Sequence, residues 1–382
     1  MKVIFEKSVL LGAIQPALSC VSGKNTIPAI EGINLNCSEE GKCVITSYDL
    51  EKGFRCEIPC DTQRTGNYIL NANKLTQIVR AMPSGYITLE IDANNVTRIY
   101  SGKSEFEIYA MNGDDFPQLP VLTGDMGFHI KKGVLKNMIT KTQFAVAQND
   151  MRPELNGAFF KIEGSKITVV SCDGNKMAIK EQITDIERND EDESSLDMKF
   201  IIPGKTLNEL LKFLSDNDDT ISIRLTRKYV IFRIDDVIFF SRLIENEYID
   251  YNRFLPKESK TTVKINCEAF LAALERASLV TEDQTMGQLK SFLRCNFEGN
   301  MLKISSVSVS GKVYDEIITE KEGEDIMIGF KCRYLLDALR AADSEMLKLS
   351  LTSARMGMTI EPAVNEENSN FTFLILPLKI KD

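Results

Sequence analysis

Three stretches of this chain repeat one pattern in different letters. Tyr68 to Ile91, Phe200 to Leu225 and Ile326 to Leu351 each read as an apolar strand, a short break, a helical run and a second strand. They begin about 130 residues apart, roughly one third of the 382-residue chain. That spacing exceeds the ~20–50 residues of a solenoid repeat, so a whole domain is written three times. The front of each third matches too: Phe5 to Ile14, Phe128 to Ile139 and Val263 to Leu274 each run from strand into amphipathic helix. Short alternating strands such as Lys42 to Thr46, Lys166 to Ser171 and Met301 to Ser305 lie between the two helices of each third. Two helices and several strands per third make an α+β pattern rather than a βαβ alternation.

Proline marks the divisions. Phe116 to Pro120 and Tyr251 to Pro256 are equivalent Pro-bearing stretches, and proline neither continues a ladder nor leaves its predecessor free. Domains are expected over residues 1–124, 125–256 and 257–382. The periodicity predicts helices over 8–20, 72–82, 131–143, 204–214, 267–280 and 330–340.

Catalytic chemistry finds little to work with. The single histidine, His129, alternates with Phe128 and Ile130 and reads as a strand-face residue, which leaves a serine nucleophile without a base. Asp49 and Asp173 occupy equivalent repeat positions and suggest a paired acid and base, but Asp-Gly at Asp173-Gly174 is a turn signal and the third copy lacks the aspartate. The run Asp190 to Glu193 lacks the spaced ligands and turn glycine of a calcium loop and reads as a solvated loop. No phosphate-cradling glycine motif occurs. Nine cysteines stand singly, without a Cys-x-x-Cys or a second histidine for zinc, and read as reduced intracellular thiols. The N-terminus reads as a first strand rather than a signal peptide, and no apolar run approaches membrane-span length. No cofactor and no metal are expected.

Charge supplies the functional lead. The net charge of −9 argues against a nucleic-acid partner until its distribution is seen. The six predicted helices hold twelve lysines and arginines against four aspartates and glutamates, so they carry +8 and the remainder −17. Helix propensity does not explain this, because glutamate forms helices as well as lysine does. If equivalent helices share one surface, a polyanion such as duplex DNA is attracted to it. Without aromatic interleaving or a recognition helix, the implied contact is to phosphates and carries no sequence preference.

The order and spacing of several short motifs resemble the bacterial DNA sliding clamps, the beta subunits of DNA polymerase III. These are Lys24-Asn-Thr-Ile-Pro28, Arg80-Ala-Met-Pro83, Asp115-Phe-Pro117, Leu155-Asn-Gly157, Asp173-Gly174, Asp250-Tyr251 with Arg253 and Leu255-Pro256, and Leu376-Pro377-Leu378. The resemblance spans essentially the whole chain. It implies a non-catalytic processivity factor built of three like domains, each with two helices on antiparallel sheets. Two chains would close head to tail into a six-domain ring around duplex DNA, acting in the cytoplasm. Implied partners are the DNA polymerase III catalytic subunit, the clamp loader, and repair polymerases, ligase and mismatch-repair proteins, all through short linear peptides.

By the same resemblance, Lys24, Arg80, Gln148, Asn149, Arg152 and Lys205 face DNA. Pro153-Glu154 replace the aromatic residues that the family often has after the loop arginine. A peptide groove is implied at Leu155, Cys172, Gly174, Asn175, Lys176, Met177, Ile249, Arg253, Phe254, Tyr334, Leu374, Leu376, Pro377 and Leu378. Asn175, Lys176 and Ile249 depart there from the usual histidine, arginine and proline. The ring joint is implied to set Phe106 and Ile108 against Leu279 and Val280. Ordinary core or edge-strand packing is the competing reading for these apolar residues. A magnesium-dependent nucleic-acid enzyme and a protein-only scaffold are the competing functions.

Overall fold

The computed structural model describes residues 1–23, 26–124, 126–188, 196–281, 292–308, 311–364 and 366–378. Six α-helices fall among them: α1 (Lys7–Ala17), α2 (Ala72–Ala81), α3 (Lys132–Gln143), α4 (Gly204–Leu210), α5 (Cys267–Thr281) and α6 (Cys332–Ala341). Each follows a strand with at most one residue between, two such strand-to-helix junctions in each third. The helices form because their apolar residues recur at helical spacing. Ala72, Leu75, Thr76 and Val79 bury one stripe of α2, and Cys332, Leu335, Leu336 and Leu339 do the same in α6. Asn71 and Asn266 cap α2 and α5, their side-chain oxygens accepting from Lys74 N–H at 3.0 Å and Ala269 N–H at 2.9 Å.

Two helices end earlier than their apolar pattern suggests. Pro16 lacks the N–H that would continue α1, so Leu18–Cys20 tightens into a 3-10 turn. After Leu210 the bonds of α4 shorten to three residues, with Lys212 N–H on Glu209 O and Phe213 N–H on Leu210 O. The helix α1 begins at Lys7, one residue before the expected start, and so gains a charged residue. Its ammonium donates to Arg80 O at 3.0 Å and to Met82 O, satisfying carbonyls left free at the end of α2.

The chain forms two compact units. One contains residues 1–131, 187–192 and 218–243; the other contains 132–186, 193–217 and 244–382. The middle third thus contributes to both. In the first unit a single antiparallel sheet of fourteen strands runs from Glu187–Arg188 to Asp61–Arg64. Strand Val237–Arg242, from the middle third, pairs there with Lys52–Pro59 of the first third, placing Phe239 opposite Phe54 and Phe240 opposite Gly53. The second unit holds a nine-stranded and a four-stranded sheet. In the former, Lys176–Ile183 pairs with Ser369–Ile375 through seven residue pairs, among them Met177 with Leu374. Consecutive thirds are therefore joined by main-chain ladders, which cover strand edges that would otherwise lie open.

Candidate peptide groove and DNA-facing helices

The ladder between Lys176–Ile183 and Ser369–Ile375 builds one candidate site from the backbone outward. Asp173 turns the chain ahead of it, its carboxylate accepting from Asn175 N–H at 2.8 Å and Lys176 N–H at 2.9 Å. Gly174 stands at φ +84°, the left-handed region that glycine tolerates. Asp49 makes the same turn, accepting from Glu51 N–H at 3.0 Å and Lys52 N–H at 2.8 Å. Both aspartates thus serve in turns. Beyond Ile375 the chain leaves the sheet: Leu376 N–H donates to Asn175 O and Leu378 N–H to Gly329 O, each at 2.8 Å. Residues 376–378 are therefore tied to two separate elements, through the bond to Asn175 and an isolated antiparallel bridge between Leu378 and Gly329, not by an edge-strand ladder.

Leu155, Cys172, Met177 and Leu374 meet in one buried apolar cluster, with Ile249 packed against it. Tyr248, Tyr251, Phe159 and Leu255 join it, although the sequence reading does not place them in the groove; Phe159 and Tyr248 stack at 5.0 Å. Their signal is the aromatic content of the stretch before Pro256, which proline spacing alone does not weigh. Phe254, next to Leu255 in the chain, and Leu376 remain 59% and 40% exposed, with Pro377 and Leu378 half-buried. Burial holds the Cys172 thiol and the Tyr248 phenol above their ordinary pKa, so both are neutral.

Tyr334 and Lys176 lie beside one another at the turn, each held by other parts of the chain. Tyr334 packs against the separate core of α5, α6 and their sheets. Lys176 is buried, ion-paired to Asp337 of α6 at 2.8 Å and lying 5.3 Å from the Tyr334 ring and 5.5 Å from that of Phe144. It ties the turn to α6 and offers no loose charge to a ligand. Arg253 is exposed and paired to Asp250 at 2.7 Å.

The basic residues divide into engaged and unengaged. Lys132 and Lys141 are buried, contrary to a reading that counts every helical cation as surface charge. Lys141 pairs with Asp343 and lies 5.0 Å from the Phe371 ring; burial lowers its pKa despite that carboxylate. Lys131, the last strand residue before α3, pairs with Asp218, and Lys136 with Asp216. Lys212 pairs with Glu209, Arg276 with Asp315 and Arg340 with Glu275. Lys74, Arg80, Lys205 and Arg333 are exposed and have no ion pair among the described residues. All four belong to the second helix of their third.

Lys24 lies outside the described residues, as does the run Asp190 to Glu193. Gln148 and Asn149 are exposed, with Asn149 at φ +58°. Their loop is braced by Asn156, whose side chain accepts from Asp150 N–H at 2.8 Å and donates to Asp150 O at 2.9 Å. Arg152 turns back on the same aspartate through two bonds, 3.0 and 3.2 Å long. This pairing holds the Asp150 carboxyl below its ordinary pKa. A Cβ on Gly174 would lie 3.4 Å from Arg152 Nη2, so the guanidinium sits over the groove's turn.

Phe106 and Ile108 share one face of strand Ser104–Asn112, Phe106 being 43% exposed. Leu279, at the end of α5, is 81% exposed, and Val280 beside it is half-buried. Tyr314 and Ile318, on the edge strand Lys312–Ile318 of the four-stranded sheet, are also exposed and were not expected. His129 is half-buried in its strand, opposite Ser222 and Glu187. Among the described residues, no group of three His, Cys, Asp or Glu is placed to hold a metal ion. No helix among them is long and apolar enough to cross a membrane.

Family models of the DNA polymerase III beta subunit match the chain end to end: the N-terminal domain over residues 1–120, the central domain over 129–250 and the C-terminal domain over 252–379. The chain belongs to the bacterial DNA sliding clamps. It is 32% identical over 389 aligned residues to the beta sliding clamp of Bacillus subtilis, covering 99% of this chain and 100% of that one. It is 27% identical to the beta sliding clamp of Staphylococcus aureus, covering 99% of each chain. The crystal structure of the B. subtilis clamp superposes with a TM-score of 0.90 at 30% identity, covering all of both chains. A putative beta subunit from Eubacterium rectale gives 0.90 at 29%, again over both whole chains. The function is that of a non-catalytic processivity factor in DNA replication, and the α+β clamp fold is the family's.

Proposed function

We propose that two copies of this chain close head to tail around duplex DNA in the cytoplasm, with the second helix of each third facing the phosphates. The observation that carries this reading is the set of unengaged cations, Lys74, Arg80, Lys205 and Arg333, on those helices alone. Lys24, Gln148, Asn149 and Arg152 complete the proposed DNA contacts. A ring holds its substrate topologically, so sparse and sequence-independent contact suffices. The apolar cluster around Met177 and Leu374, with its exposed edge at Phe254 and Leu376, is the proposed seat of partner peptides from the polymerase, the clamp loader and repair proteins. Residues 376–378, tied only at Asn175 and by the isolated bridge to Gly329, form its adjustable wall.

Loading by a clamp loader onto nicked circular DNA tests the reading. Retention through gel filtration in high salt, lost when the circle is cut once, is the expected result. Equal retention on circular and linear DNA would reject encirclement.

A further inference from the structure

Four cations touch residues of the groove, and three of them, Arg152, Arg253 and Lys176, are paired with a carboxylate of this same chain. Arg152, over Gly174, is bound twice by Asp150, at 3.0 and 3.2 Å. Arg253 is paired with Asp250 at 2.7 Å and Lys176 with Asp337 at 2.8 Å. Lys331 lies 4.9 Å from the ring centroid of Tyr334. The two exposed arginines owe their partners to their own loops, with an aspartate two or three residues earlier. Asp173, at the turn, adds a further carboxylate, bound to the N–H groups of Asn175 and Lys176.

At the two arginines a ligand carboxylate meets ion pairs rather than isolated positive charge. Displacing Asp150 from Arg152 exchanges one carboxylate for another and releases the first as a like charge beside the ligand. Electrostatics therefore gives an acidic side chain no advantage over a neutral one. What remains to bind is the apolar edge at Phe254 and Leu376 above Met177 and Leu374.

We propose that Asp150 and Asp250 set the peptide preference of the groove, masking its arginines so that segments are selected by their aliphatic or aromatic anchors and acidic ones gain no advantage over uncharged ones. This rests on the groove reading above. It predicts weak dependence on ionic strength, because few unpaired charges are brought together.

Two synthetic acetylated hexapeptide amides with identical leucine and phenylalanine anchors provide the probe, one with serines and the other with glutamates between the anchors. Fluorescence anisotropy on the full chain is expected to show the glutamate peptide no tighter than the serine peptide, at both low and high salt. Tighter binding of the glutamate peptide by about tenfold or more at low salt would overturn the proposal. In the Asp150→Asn/Asp250→Asn variant the ratio is expected to shift at least fivefold toward the glutamate peptide and to return in high salt. An unchanged ratio, in a variant whose melting curve matches the parent, would overturn the role given to the two aspartates. Each aspartate is also changed singly, so that a misfolded double variant does not decide the matter. Binding of neither peptide to the parent chain would instead reject the groove itself.

Discussion

Lys180 is the residue whose surroundings most oppose its chemistry. It is 1% exposed, donates to Ser369 Oγ, and has Lys141 close by on α3. Burial first, and Lys141 second, lower its pKa to about 8, while Asp343 and Glu366 act in the other direction. The unfolded chain holds this proton up to pH ~10.4. Between pH 8 and that value the unfolded state binds more protons, so stability rises with pH across the window and is reduced below it. Lys180→Met is expected to stabilise the chain at pH 7 by on the order of 2–3 kcal/mol and to flatten the rise toward pH 10. Urea unfolding at the two pH values measures both, and a destabilised Met variant would contradict the assigned penalty. Side chains like this mark the limit of reading a sequence. Lys176 is legible as a basic residue beside a turn, but its partner Asp337 is 161 positions away. The Asp150-to-Arg152 spacing is visible, yet only the fold turns that guanidinium over Gly174.

Elements were more legible than partners, because an apolar stripe is a property of the local sequence. The α2 and α6 stripes follow directly from it, whereas α1 and α4 end early for backbone reasons, at Pro16 and in tightened bonds after Leu210. The same element scale decides which cations meet a phosphate. Arg80, Lys212 and Arg340 occupy equivalent places in the repeat, Lys212 just beyond α4, but Lys212 and Arg340 are paired with Glu209 and Glu275. Removing Arg80 or Lys205 is expected to lower the slope of log K against log salt by about 0.9 each. Lys212→Ala should change it far less. Equal changes in all three, measured on unrelated duplexes, would show that ion pairing does not shape the surface. The wall at 376–378 is a second element whose role follows from its bonding. Leu376→Ala with Met177→Ala should weaken peptide binding by about 2 kcal/mol or more, roughly thirtyfold, in a protein that still melts cooperatively. Undiminished affinity in that folded variant would place the partner site elsewhere.

At the scale of the whole molecule, a threefold repeat leaves two unlike ends, and unlike ends define a head-to-tail joint. Apolar side chains at the surface supply candidates for both: exposed Phe106 with half-buried Ile108 for one, exposed Leu279 with half-buried Val280 for the other. Either Phe106→Ala/Ile108→Ala or Leu279→Ala/Val280→Ala should then shift the protein toward monomer in sedimentation at low micromolar concentration. Anchors of this kind commonly contribute about 2 kcal/mol or more to an interface. Mixing the two variants separates this joint from a self-matching one. In a head-to-tail pair, one joint of the mixed dimer brings both altered faces together, while the other brings two intact faces together. Mixing should therefore restore dimers by sedimentation without restoring retention on nicked circular DNA, since one gap in a ring is enough to release the duplex. A mixture that stays monomeric, or one that is retained on circles as well as the parent, would show that these four residues do not form the joint.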